Sequence, residues 1–103
     1  MFAAPLLLAQ DAAKVAVGKT AYDTQKCATC HQIAGQGGKT GAALDGVGKK
    51  LTEADVRKWL TATAEMEAKL PAKPKVLMST YMKSHKLTDP DLDGLVAYLM
   101  SLK

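Results

Sequence analysis

The segment Cys27-Ala28-Thr29-Cys30-His31 restricts this chain more than any other part of it, because its two cysteines are the only ones in 103 residues. In a helical turn, residues i and i+3 project from one face, so both thiols point the same way and the next residue sets an imidazole beside them. Four chemistries use cysteines at this spacing. A redox dithiol of the thioredoxin kind sits at the end of a strand in an α/β fold, and no strand pattern is evident. A structural zinc site needs four ligands, and beyond these three only His85 and distant carboxylates remain. A disulfide, or a pair of core cysteines, leaves His31 without a role. Covalent attachment of one haem c through Cys27 and Cys30 employs all three residues. The thiols form thioethers with two porphyrin vinyl groups, and His31 supplies an imidazole to the iron.

Composition agrees with a non-protein group at the centre. The chain is 48% hydrophobic and 23% charged, which suits one small globular domain. No repeat is visible at a 20–50-residue period. Aromatic residues are few: Phe2, Tyr22, Trp59, Tyr81 and Tyr98. Large rings normally dominate core burial, and small domains bury a smaller share of their surface. Either alanines and leucines carry the interior, or something else fills it. A transmembrane helix needs about 20 mostly apolar residues, whereas the best run, Phe2 to Ala9, has eight, so no transmembrane segment is expected. The formal charge of +4 is spread along the chain without an RNA-stacking or zinc-finger pattern, which argues against nucleic acid.

Residues 1–10 read as an apolar extension, or as the tail of a secretory leader lacking its charged front end; the domain proper is taken as 11–103. Asp11 is an acceptable N-cap, although Pro5 also suits the first turn of a helix running on through Tyr22. Ala13, Val17, Ala21 and Tyr22 recur at helical spacing with Gly18 on the same side. A glycine there costs roughly 1 kcal/mol relative to alanine, which points to close approach of another helix. Six of the eight glycines fall in a long loop, 35–48. Thr52-Glu53-Ala54-Asp55 opens a helix through Val56, Trp59, Leu60 and on towards Thr63. Pro71 and Pro74 break the next stretch. Thr88 or Asp89 caps a last helix with Pro90 in its first turn. Its apolar stripe is Leu92, Leu95, Val96, Leu99 and Leu102, with Tyr98 at the edge. The expected fold is all-α with extended loops.

With these residues in view, the span from about Asp11 to Leu102 resembles the small, single-haem, class I cytochromes c of bacterial type. The resemblance is carried by Gly18 and Tyr22, Cys27–His31, Gly41-Ala42-Ala43-Leu44-Asp45-Gly46-Val47-Gly48, Trp59, Met78-Ser79-Thr80-Tyr81, Leu87-Thr88-Asp89 and Leu95-Val96-Ala97-Tyr98-Leu99. It implies about four short helices and long loops around one covalent haem. The first and last helices then cross near a right angle, with Gly18 and Tyr22 against Leu95 and Tyr98.

The resemblance also implies a methionine as the sixth iron ligand, a soft sulfur that raises the potential. The candidates are Met66, Met78, Met82 and Met100. Met100 lies off the stripe of the last helix, and Met66 sits between Glu65 and Glu67 on a solvated helix end. Met78 fits the family's Met-Pro-x-Tyr pattern except that Ser79 replaces proline, which loosens that loop in φ. Met82 is the alternative; His85, or no protein ligand, is a third. Where the family has Gly-Pro this chain has Gly41-Ala42, so the Ala42 carbonyl is expected to accept from the second imidazole nitrogen of His31. Trp59 is, by resemblance, a donor to a haem propionate, and it reads equally well as an ordinary core tryptophan.

A haem iron with both axial positions taken by protein exchanges electrons rather than binding oxygen or peroxide. The expected function is one-electron transfer, not catalysis. Between Glu67 and Asp89 lie Lys69, Lys73, Lys75, Lys83 and Lys86 with no acid, a patch suited to an acidic surface on a redox partner, or simply a solvated loop. Haem attachment of this kind implies the periplasm. Two other readings stay open: a relay subunit of a larger dehydrogenase or oxidase, tethered to the membrane through a partner by Phe2–Ala9, and a peroxidase or sensor with a labile sixth position.

Overall fold

The computed structural model describes the backbone of residues 3–103 and the side chains of residues 12–103. Met1, Phe2 and the side chains up to Asp11 lie outside the described residues, and with them the packing of the apolar segment at residues 1–10. The first helix, α1, runs unbroken over Ala3–Thr24, so it does not begin at Asp11. Pro5 falls in its first turn, where the missing N–H has no intrahelical partner to lose.

After α1 come a 3₁₀ turn (Cys27–Thr29), a two-residue antiparallel pair β1 (Gln32–Ile33) and β2 (Gln36–Gly37), then α2 (Val47–Lys50), α3 (Glu53–Thr61), α4 (Thr63–Ala68), α5 (Met78–Ser84) and α6 (Asp89–Met100). The all-α expectation holds, with six helices among the described residues rather than about four. The extra ones are α2 and α4, each too short to show a periodic stripe. The β1–β2 pair, unexpected from the sequence, is too short for alternation to register.

Two expected caps appear as local hydrogen bonds. The Thr52 hydroxyl accepts from the Asp55 N–H at 3.1 Å, and the Thr88 hydroxyl from the Asp91 N–H at 3.3 Å, so Thr88 rather than Asp89 caps α6. Thr63 opens α4 instead of ending α3; its hydroxyl donates to the Trp59 carbonyl at 2.7 Å.

The core forms where α1 and α6 touch. Gly18 meets Gly94 backbone to backbone: a Cβ built on Gly18 would stand 1.9 Å from the Gly94 carbonyl oxygen and 2.7 Å from the Tyr98 Cβ. Tyr22 packs edge-on to Tyr98, with centroids 5.7 Å apart. The sequence reading set Gly18 against Leu95 and Tyr98 and missed Gly94. Leu95 buries towards Ala21 and Tyr22, while Val96 and Leu99 bury towards Val56 of α3. One helix thus serves two small clusters. An ion pair between Arg57 and Asp93, 3.0 Å and exposed at both ends, ties α3 to α6 and contributes little.

Candidate functional site

Lys26 takes a left-handed conformation (φ 57°) immediately after α1 and starts the 3₁₀ turn. The Cys30 and His31 N–H groups then both donate to the Cys27 carbonyl, at 3.2 and 3.0 Å. This winding sets Cys27, Cys30 and His31 on one short turn. The two thiols are unjoined and half-buried. Cys27 packs on the Ala21, Tyr22 and Leu95 cluster beside Ile33, Leu44, Leu60 and Leu87, all partly exposed. Burial, with smaller contributions from Asp23 and Cys30, pushes the Cys27 thiol up to about 11. A reactive redox dithiol needs the opposite shift.

His31 is held from the other side by the glycine-rich loop. That loop returns across the turn through bonds from Gly38 to Ala28 (2.8 Å), Gly41 to Cys30 (2.6 Å) and Leu44 to Gln32 (2.8 Å). His31 Nδ1 lies 2.7 Å from the Ala42 carbonyl oxygen. A carbonyl only accepts, so Nδ1 is the donor, and in the neutral ring this leaves the lone pair on Nε2. Gly41 makes room for the ring: a Cβ there would stand 2.8 Å from His31 Cε1 and 3.0 Å from Nδ1. Any larger residue at position 41 would push the imidazole off its acceptor.

The helix α5 is attached to this turn at one end and to α4 at the other. The Tyr81 hydroxyl donates to the Gln25 carbonyl at 2.5 Å, just ahead of Cys27. Burial, then the proximity of Cys27 and Cys30, raises the Tyr81 phenol above its ordinary range. His85 stacks flat on Tyr81 (3.7 Å) and donates from Nδ1 to the Tyr81 carbonyl at 2.9 Å. At the start of α5, the Ser79 N–H donates to Glu67 Oε2 at 3.1 Å. Position 79 is therefore helical and held, not the loosened loop expected from its lack of a proline ring.

Met78 is half-buried as the first residue of α5. Met82, one turn on, lines a cavity of about 440 Å³ with Leu60, Thr63, Ser79, Leu87 and Leu92. Cys27, Cys30 and His31 are not in its lining, although Leu60 and Leu87 belong to both walls. Met100 packs on the Val56, Val96 and Leu99 cluster. Met66 is half-buried on α4, less solvated than its acidic neighbours suggest. Trp59 is half-buried on α3; among the described residues, no hydrogen bond or ring contact joins it to the Cys27–His31 turn. The structure thus brings Cys27, Cys30, His31 and Ala42 together with Tyr81, which the sequence reading had not placed beside them.

The donor set fits a covalently held haem. Two unjoined thiols share a turn with an imidazole whose Nε2 is free to ligate, next to a partly exposed apolar wall. The Tyr22 hydroxyl, close enough to feel the Cys27 thiol, is buried without a hydrogen-bond partner among the described residues, and burial pushes it up to about 12. No cluster of three or more His, Cys, Asp or Glu that could hold a metal ion occurs among the described residues. The haem itself would supply an iron that changes charge by one electron.

An all-α domain with these features has the donor set of a covalent haem-binding protein. A family model described as Cytochrome c matches residues 15–103, and the chain belongs to the cytochrome c family. Haem-based electron transfer is the general property of that family, whose members are generally carriers rather than enzymes. No curated protein and no solved structure matches the chain.

Proposed function

We propose that this chain is a one-electron carrier that holds a single haem c through Cys27 and Cys30, ligates its iron with His31 and Met78, and passes electrons between redox partners in the periplasm. The observation that carries the reading is the 2.7 Å bond from His31 Nδ1 to the Ala42 carbonyl, which fixes the tautomer that a ligating imidazole requires. Cys27 and Cys30 anchor the macrocycle edge, and Gly41 lets the imidazole lie against the loop. Met78 would be the second protein ligand, a soft sulfur that favours ferrous iron. Trp59 would donate to a propionate. Among the described residues, no helix is long and apolar enough to cross a membrane.

The test is a reduced-minus-oxidised spectrum with inspection of the red-edge charge-transfer band that reports sulfur ligation. Wild-type protein is expected to show the band and, when reduced, to refuse carbon monoxide. Met78→Ala should lose the band, take up carbon monoxide and fall in potential within the roughly 0.8 V range that axial ligands govern. Met82→Ala should keep the band. If the two variants behave the other way round, Met82 is the ligand. A wild-type protein lacking the band and binding carbon monoxide supports the sensor or peroxidase reading instead.

Partner docking is assigned to the five lysines of residues 69–86. All five are exposed, and Leu70 and Val76, 39% and 58% exposed, lie among them. An acidic partner surface would meet apolar contacts inside a positive rim. Lys75→Glu with Lys86→Glu cancels the formal net charge of +4. Oxidation by ferricyanide, an anionic probe, should then slow about tenfold at low ionic strength and lose most of its salt dependence. An unchanged rate and slope would remove the steering role.

A further inference from the structure

The contact between Glu67 and the first turn of α5 is absent from any reading of the sequence. Residue 67 ends α4 and residue 79 lies across the proline-broken stretch, yet the Ser79 N–H donates to Glu67 Oε2 at 3.1 Å. Leu77, the cap residue of α5, offers no side-chain hydrogen bond to that end of the helix. A carboxylate is the group best suited to exposed N–H groups at a helix start. Burial opposes the charge on Glu67, but the Ser79 and Met78 donors, with Lys73 nearby, outweigh it and hold the carboxyl below its ordinary value.

The other half of α5 is secured separately, by the Tyr81 hydroxyl on the Gln25 carbonyl. Tyr81 lies one turn from Met78, and its tether does not engage the N–H groups of the first turn of α5. Glu67 engages the one at Ser79. The bond also depends on which residue occupies position 79: a proline there has no N–H to give, whereas Ser79 has one and Glu67 takes it.

We infer that Glu67 is a positioning residue, holding the Met78 end of α5 in the place from which its sulfur ligates the iron. This rests on the assignment of Met78 as ligand. Without the carboxylate, the first turn of α5 loses its only cross-chain acceptor among the described residues, and the methionine exchanges more readily with an external ligand.

The experiment uses the haem-loaded protein and follows carbon monoxide binding to the reduced form together with the charge-transfer band. Glu67→Ala should bind carbon monoxide at least tenfold faster than wild type and show a weakened band, while far-ultraviolet circular dichroism stays helical. Glu67→Gln, which keeps an acceptor oxygen but not the charge, should recover part of the difference. Ser79→Pro removes the donor, so Glu67→Ala added to it should change the rate less than twofold. This double-mutant cycle cancels whatever the proline ring does by itself.

Glu67→Ala with wild-type carbon monoxide kinetics overturns the inference even if it melts earlier, since a purely structural role lowers stability without freeing the iron. An equal effect of Glu67→Ala in the Ser79→Pro background overturns it as well. Loss of the band in Met78→Ala but not in Glu67→Ala defeats the positioning role and leaves the ligand assignment standing. A wild-type protein without the band defeats both.

Discussion

Replacing Cys27 and Cys30 together with alanine is expected to yield a chain that carries no haem and does not melt cooperatively. The interior formed by the described residues is thin. Among them the buried apolar residues are Ala21, Tyr22, Val56, Leu95, Val96 and Leu99, and of the large ones only Leu95 and Val96 are fully buried. Against the same cluster as Cys27 pack Ile33, Leu44, Leu60, Leu87 and Tyr98, apolar residues left partly exposed by their protein neighbours. Full burial of one such aliphatic side chain stabilises by about 1.5–3 kcal/mol, and a whole domain has only about 5–15 kcal/mol in hand. Losing a fraction of that burial at five positions is enough to bring the net close to zero. Tyr22 adds to the deficit, because an unpaired buried hydroxyl costs about 1–3 kcal/mol. Mass spectrometry after expression in a host competent for haem attachment should show the bare polypeptide. Circular dichroism should show reduced helicity and a broad, sloping thermal transition. A helical chain with a sharp melt would mean that the protein packs its own core and that the haem is an addition to a finished fold.

What could be read from the sequence was what is local. Thr52 and Thr88 each cap a helix through a bond to a residue three positions on, so four consecutive residues carry the whole signal. The same holds for Cys27, Cys30 and His31, which lie on one turn. The α6 stripe was legible because burial follows the helical period over twelve residues. What escaped was decided across the chain. Gly94 sits within an apolar stripe and looks like any weak helix position until Gly18 is seen against it. The bond from Ser79 to Glu67 joins two elements separated by a proline-broken stretch, and nothing in either segment names the other. The proximity of His31 and Ala42 was expected only through family resemblance, since a backbone carbonyl has no sequence signature. The start of α1 was open between Asp11 and Pro5 for a different reason: an aspartate that suits a cap is also tolerated within a helix, and no competing breaker lies between Pro5 and Gly18.

Gly18→Ala is expected to force the first and last helices apart and to destabilise the protein markedly. The new Cβ would stand 1.9 Å from the Gly94 carbonyl oxygen and 2.4 Å from its carbon. Both are backbone atoms of a helix, and neither can rotate away. Relief requires α1 and α6 to separate, which loosens the Tyr22–Tyr98 contact and the Ala21–Leu95 packing behind Cys27. Overpacking typically costs about 1–3 kcal/mol and occasionally more, while alanine returns about 1 kcal/mol of helix propensity. With two backbone clashes the cost falls at the upper end of that range, leaving a net loss of about 2 kcal/mol, or roughly 8–16 °C in Tm at about 4–8 °C per kcal/mol for a domain of this size. Gly94→Ala should cost less. Its Cβ would meet the Gly18 nitrogen at 2.7 Å, the Val17 Cγ1 at 2.8 Å and the Lys14 carbonyl oxygen at 3.0 Å, and Val17 is an exposed side chain that can turn. Thermal melts of the three haem-loaded proteins should therefore order as wild type, Gly94→Ala, Gly18→Ala. If Gly18→Ala melts within two or three degrees of wild type, the helices do not cross this closely in solution, and the wall they form behind the thiols must be held by something else.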